Sequence, residues 1–202
     1  MIDHLSAIAG RNVSRETFEK IEAYAALLRE ENERQNLISR STLDRLWERH
    51  LLDSAQLVRF EPYAGASWVD IGSGAGLPGI VVACLVEGPV TLVESRRLRG
   101  EFLHRVVESL RLNASVFLGK AERAQGTYDV IAARAVAELS KLLKISAHLS
   151  TRKSRWLLPK GRSAERELAE AQQAWQGVFH VEPSATDPES RIVVCTGVKA
   201  KR

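Results

Sequence analysis

Apolar positions recur at helical spacing through the first sixty residues and at strand-like spacing thereafter. Phe18, Ile21, Ala25 and Leu28 fall three or four positions apart, which places them on one face of a helix over 14–34 that Ser14 can cap. A second helix is predicted over 42–60, with Leu43, Leu46, Trp47, His50, Leu51, Ser54 and Val58 sharing a face. Glu61-Pro62 closes it, because the residue ahead of a proline disfavours helical backbone. The two helices form an N-terminal cap over 1–62. From Ser67 onward, short runs of β-type residues alternate with helix-type segments. Strands are predicted at 68–71, 90–93, 115–118, 129–132 and 154–158, and helices at 78–86, 97–110, 138–149 and 163–175. Such alternation implies a parallel sheet with helices on both faces. Val178–Val181 and Arg191–Thr196 have no helix between them, so they are expected to pair antiparallel at one edge.

With 202 residues, 45% of them apolar, the chain suits one globular domain over 1–202, divided into the cap and an α/β core over 63–202. No apolar run is long enough to span a bilayer, and the first residues lack a signal-peptide layout. Cys84 and Cys195 lack metal-ligand or redox spacing and read as small core residues. These features point to the cytoplasm, with no metal, no membrane partner and a monomeric chain. The net charge is only +4, but residues 1–60 carry nine basic and ten acidic side chains, so the basic excess lies beyond them. Arg152, Lys153, Arg155, Lys160 and Arg162 form a run without an acid. That run is read as a nucleic-acid contact; the alternative is a solvated face.

The chemistry concentrates in Val69-Asp70-Ile71-Gly72-Ser73-Gly74-Ala75-Gly76-Leu77-Pro78-Gly79, where a strand runs through alternating glycines into a helix. Glycine reaches positive φ and lets backbone approach a ligand closely, and ligands of such sheets bind beyond the carboxyl ends of the strands. Gly74-x-Gly76-x-x-Gly79 with Glu94 some twenty residues on also satisfies a dinucleotide pattern. Asp70, however, would repel a pyrophosphate and suits a cofactor with an amino-acid moiety. An NAD(P)-dependent oxidoreductase therefore stays open as an alternative.

Asn36-Leu37-Ile38-Ser39, Arg49-His50-Leu51-Leu52-Asp53-Ser54 and the glycine block together resemble the RsmG (GidB) family of bacterial 16S rRNA guanine-N(7) methyltransferases. Glu94-Ser95, Phe102-Leu103, Ala133-Arg134-Ala135 and Lys160-Gly161 follow in the order that family shows. The resemblance implies a Rossmann-like class I fold using S-adenosylmethionine, with 16S rRNA or the small ribosomal subunit as partner and a guanine of the 530 loop as acceptor. It implies a cofactor site at Gly72, Gly74, Leu77, Ala121, Glu122 and Arg134, with Asp70 and Glu94 supporting; a non-catalytic rRNA-binding assembly factor that keeps the fold is a second alternative. The chain departs from the family at two points: Leu98 stands where a lysine is usual, and Gln35 where an aromatic residue is common.

Ring nitrogen 7 of guanine presents a lone pair and loses no proton when attacked, so its methylation needs positioning more than a base. The segment after the fourth strand, Asp129-Val130-Ile131-Ala132-Ala133-Arg134-Ala135, lacks the Asn/Asp-Pro-Pro-aromatic signature of exocyclic amine methylation. Arg134 and Lys160 are the expected positioning groups for catalysis. Arg134 is weighed against a plain salt bridge, and Lys160, also an RNA-contact candidate, against a solvated loop residue. His50 is read as a satisfied core histidine. Asp53 and Ser54 either pack the helix or help close the cleft, and Trp47 and Trp156 either stack on bases or fill the core.

Overall fold

The computed structural model describes residues 1–201. The cap comprises α1 (Ile2–Ala9), α2 (Arg15–Gln35), α3 (Arg40–Leu43), a π-helical stretch (Trp47–Leu52), α4 (Asp53–Ala55) and a 3₁₀ turn (Gln56–Phe60). The core follows as β1 (Trp68–Ile71), α5 (Gly79–Leu85), β2 (Val90–Glu94), α6 (Arg97–Ser109) and β3 (Ala114–Leu118). It continues with β4 (Tyr128–Ala132), α7 (Leu139–Ser146), β5 (Ser150–Lys160), α8 (Ala164–Ala174), β6 (Trp175–Pro183) and β7 (Arg191–Ala200). The sheet order is β3-β2-β1-β4-β5-β7-β6. Every pair through β4–β5 is parallel, while β7 runs antiparallel between β5 and β6. The predicted α/β fold with an antiparallel C-terminal edge is therefore what the chain adopts.

Strand alternation sorts the core. Trp68, Val90, Leu92, Val130 and Leu157 pack toward the cap, α5 and α6, whereas Val69, Val93, Ile131, Trp156 and Leu158 pack toward α7 and α8. Asp70 shares the face of Trp68, so its carboxylate is forced under the start of α5. Cap residues Leu5, Ile21, Leu28 and Leu51 belong to the same buried cluster as Trp68 and Val81, so the cap is continuous with the sheet's covering layer.

Two expectations need revision in the cap. Helix α1 went unforeseen; it is eight residues long, but Leu5 and Ala9 seal against the core. The single helix predicted over 42–60 is broken into a short α-turn, a π-helix, an α-turn and a 3₁₀ turn. Leu46 and Leu51, five positions apart, are both fully buried, which suits the i→i+5 turn of a π-helix rather than a 3.6-residue repeat. His50 is thereby turned off the apolar face and toward the carboxyl end of the sheet. The helix predicted over 14–34 forms as expected, with Ser14 Oγ accepting from the Thr17 amide at 3.1 Å.

Candidate active site

The glycine loop leaves β1 beside β4, where the direction of chain crossover reverses and a crevice opens at the strand ends. Four groups pin the loop. Asp70 Oδ2 accepts from the Gly79 amide at 3.0 Å, and Glu94 Oε2 from the Gly74 amide at 2.9 Å. The Ser73 amide donates to the Val93 carbonyl, and the Tyr24 hydroxyl, from α2, to the Ala75 carbonyl at 2.8 Å. Asp70 is sealed beneath the loop with Oδ1 unpartnered, and burial pushes its pKa up to about 6. It shapes the loop from below and does not line the crevice. Glu94 Oε1 takes the Arg96 amide at 2.7 Å, so each oxygen of this buried carboxylate orients one backbone N–H, and the side chain stands behind Gly74 rather than in the crevice lining.

Gly74 has φ of +56°, and a Cβ built there would find protein no closer than Arg99 Nη1 and the Gly72 carbonyl, both at 3.7 Å. A side chain at this position would thus project into the crevice. The crevice, of about 430 Å³, runs from Leu37, Ile38 and Thr42 of the cap to Gly72, Leu77, Arg99 and Arg134. A second depression of about 240 Å³ continues it over Val93, Ala121, Glu122 and Ile145. Gly72 lines both, and Val136 lies across it: a Cβ on Gly72 would stand 2.8 Å from Val136 Cγ2. The expected cofactor residues Gly72, Gly74, Leu77, Ala121, Glu122 and Arg134 therefore line one trough that the 134–138 loop partly bridges. That loop is held under tension at Ala135, whose φ of +55° costs a non-glycine residue about 1–2 kcal/mol.

Arg134 reaches back to the cap. Its Nη1 lies 3.1 Å from His50 Nδ1, 3.4 Å from Asp53 Oδ2 and 3.5 Å from the Arg49 carbonyl. Guanidinium only donates, so His50 Nδ1 must accept and its proton sits on Nε2, 2.8 Å from Thr42 Oγ1. Burial, with Arg134 and Arg49 alongside, lowers the His50 pKa from 6.5 to about 4, keeping the ring neutral. His50 is satisfied, as expected, but at the wall of the crevice rather than in the core. Asp53 Oδ1 accepts from Gln56 Nε2 at 2.8 Å and Thr186 Oγ1 at 3.0 Å, so the cap, the β4 exit and the β6–β7 connection meet at one carboxylate. Asp53 thereby borders the cleft, and Ser54 turns inward to bond the His50 carbonyl at 2.7 Å.

A third cleft, of about 480 Å³, lies beyond the 134–138 loop, between Arg134, Lys160, Arg191 and the β6–β7 connection. Lys160 lines it, but its ammonium is engaged by the Ala137 carbonyl at 2.9 Å and Glu167 at 2.8 Å. Its evident work is to anchor the loop that carries Arg134. The basic run does not form one surface. Arg152 and Lys153 sit near the amino end of β5, about 25 Å from Lys160 by strand rise, and therefore at the opposite end of the sheet from the crevice. Arg155 donates to the Phe60 carbonyl at 2.7 Å, and Arg162 pairs with Glu189. Trp156 is buried, and Trp47 stacks on Phe18 with centroids 5.4 Å apart, so both are packing residues. Cys84 and Cys195 lie in or against the core clusters, with burial pushing both thiols up to about 12. Tyr24, Gln56, Arg99, Val136 and Thr186 were not singled out from the sequence. Only the position of Arg99, next to the family departure at Leu98, and the helical spacing of Tyr24 to Ile21 and Leu28 gave any local sign.

Strand order, glycine loop and strand-end acid define a class I S-adenosylmethionine-dependent methyltransferase fold. A SAM-dependent methyltransferase from Aquifex aeolicus superposes with a TM-score of 0.60 at 15% identity, over 75% of this chain and 91% of that one. The glycopeptide N-methyltransferase MtfA, solved with S-adenosylmethionine, gives 0.61 at 8% identity, over 71% and 92%. Residues 17–187 match the GidB family, described as rRNA small subunit methyltransferase G. The ribosomal RNA small subunit methyltransferase G of Zymomonas mobilis is 45% identical over 94% of this chain and 90% of its own. That of Erythrobacter litoralis is 50% identical over 89% and 88%. The chain belongs to the rRNA small subunit methyltransferase G family.

Proposed function

We propose that this chain transfers the methyl group of S-adenosylmethionine to ring nitrogen 7 of a guanine in the 530 loop of 16S rRNA. The observation that carries the reading is that the two groups beside Arg134 that could act as a base are both committed to orienting bonds. The imidazole of His50 has both nitrogens occupied, and Asp53 is engaged by Arg134, Gln56 and Thr186. Neither is free to take a proton, and ring nitrogen 7 has none to lose.

The trough fits the cofactor by its shape: a glycine turn open toward the ligand and apolar walls at Leu77 and Ile145, with the buried Glu94 carboxylate fixing the turn from behind. When bound, S-adenosylmethionine supplies an electrophilic methyl on a sulfonium. Gly72 and Gly74, the latter fixed by Glu94, would hold it at the ends of β1 and β2, with Ala121 and Glu122 bordering its far end. Arg134 stands where the trough meets the third cleft, and its remaining N–H groups can fix the angle of a reactant there. In-line displacement depends steeply on that angle, about 1 Å of misplacement costing on the order of a hundredfold in rate.

The test is to map N(7)-methylguanine in 16S rRNA from cells with and without this protein, and in small subunits treated with the purified chain and labelled cofactor. The expected result is a methyl group in the 530 loop that depends on the protein in both settings. The same mark in cells lacking the protein, or labelling at an exocyclic amine, would overturn the proposal. Binding to subunits without turnover would favour the assembly-factor alternative.

A further inference from the structure

The third cleft is lined by charges that mostly cancel. Arg134 faces Asp53, Lys160 bonds Glu167, and Arg49 bonds Asp187 at 2.6 Å. Two charged groups of the lining stand outside these pairs. Arg191 is held by the carbonyls of Pro188 and Ser190, at 2.7 and 2.9 Å, with no acid opposite. Glu138 precedes α7 at the N-cap position, yet its carboxylate makes no capping bond and, among the described residues, no ion pair. A cleft neutralised in this way is poorly suited to a phosphate and well suited to a neutral, polar, planar group. Its volume of about 480 Å³ falls in the range of about 300–1,000 Å³ usual for small-ligand sites.

We infer that this cleft receives the acceptor guanine, turned out of the RNA stack, and that Glu138 selects it by accepting from N1–H and the exocyclic 2-amino group. The inference rests on the proposed reaction at ring nitrogen 7. The cleft shares Arg134 and Ala135 with the crevice and Val136 with the second depression, so its occupant lies against the methyl-transfer point. Guanine carries nitrogen 7 on one edge and its N–H donors on the opposite side of the base. If nitrogen 7 faces the trough, the group that reads the donors must stand on the far side of the 134–138 loop. Glu138 ends that loop and borders neither part of the trough. Of the acids lining the cleft, it alone has its acceptor oxygens uncommitted, which is what a paired donor edge requires. Adenine presents a lone pair at N1 and no 2-amino group, and a carboxylate repels that edge. The Arg191 guanidinium offers a planar face on which an unstacked base can lie.

The experiment uses small subunits rebuilt with 16S rRNA carrying guanosine or inosine at the target nucleotide. Inosine keeps nitrogen 7 and N1–H but lacks the 2-amino group. The full-length chain is expected to methylate guanosine about tenfold better than inosine in kcat/KM. Glu138→Ala should lower the guanosine value to about that of inosine, bringing the ratio near one, and Glu138→Gln should fall between. Cofactor affinity, measured with S-adenosylhomocysteine by calorimetry, and the melting temperature should stay unchanged. A wild-type guanosine-to-inosine ratio retained by Glu138→Ala would overturn the assignment while leaving the proposed reaction intact. A methyl group at any atom other than nitrogen 7 of the wild-type product would overturn both.

Discussion

Asp53 divides its carboxylate between the cap, the β6–β7 connection and Arg134, so one side chain sets where the guanidinium stands. The Arg134–Asp53 contact is long, at 3.4 Å, and both side chains keep some solvent exposure. Such a pair contributes at most about 1 kcal/mol. Arg134→Ala should therefore lose nearly all single-turnover activity with little change in melting temperature. Arg134→Lys should lose most of the activity, because it keeps the charge but not the fork. A lowered melting temperature with full turnover by the folded fraction would mark Arg134 as a structural ion pair only. Asp53→Asn should lower kcat more than it raises KM, since it loosens the orientation of Arg134 without removing it. Asp70, Glu94 and Arg134 could all be picked from the sequence because each stands at or just past the end of a strand. Their partners could not: the bond from Thr186 to Asp53 joins residues 133 positions apart, and no local pattern encodes it.

The end of an element decides what a charged residue can reach. Neutralising Arg152 and Lys153 should leave RNA affinity and its salt dependence unchanged, because the amino end of β5 lies away from the cleft. Arg99, at the carboxyl end and without an acidic partner among the described residues, is the better phosphate contact. Removing it should flatten the slope of log affinity against log salt by about 0.7. Filter binding across a salt series checks both statements, and a changed slope for Arg152 and Lys153 would reverse them. Clustering along the chain is a poor guide here, because an eleven-residue strand carries its ends to opposite margins of the sheet. The broken helix over 40–60 teaches the same lesson: the sequence pattern showed that a helix was there, but not its π-turn, which only packing of Leu46 and Leu51 under the cap selects.

For the molecule as a whole, two groups, the buried Asp70 and the half-buried His50, titrate in one pH window with opposite effects. Asp70 goes from an ordinary 3.8 to about 6 on folding, so the folded chain binds the extra proton and stability falls as pH rises from about 4 to 6. His50 goes from 6.5 to about 4, so the unfolded chain binds the extra proton and stability rises with pH from about 4 to 6.5. The two offset each other in the wild type. Relative to it, Asp70→Asn should gain stability as pH rises through this window, and His50→Gln should lose it; denaturant titrations at pH 4 to 7 provide the check. Difference curves of the same sign would show that one of these environments is misassigned. The sequence by itself determined the strand–helix alternation, the antiparallel end, the glycine loop with its flanking acids and the residues that mark the family, because each is written in spacing of two, three or four positions or in a contiguous motif. Tertiary structure alone decided that Lys160 anchors a loop, that the basic run is split between two ends of the sheet, and that cap, β4 exit and β6–β7 connection converge on Asp53. Those outcomes depend on which distant segments the packed sheet brings within hydrogen-bond reach, and distance in space is what a linear pattern does not carry.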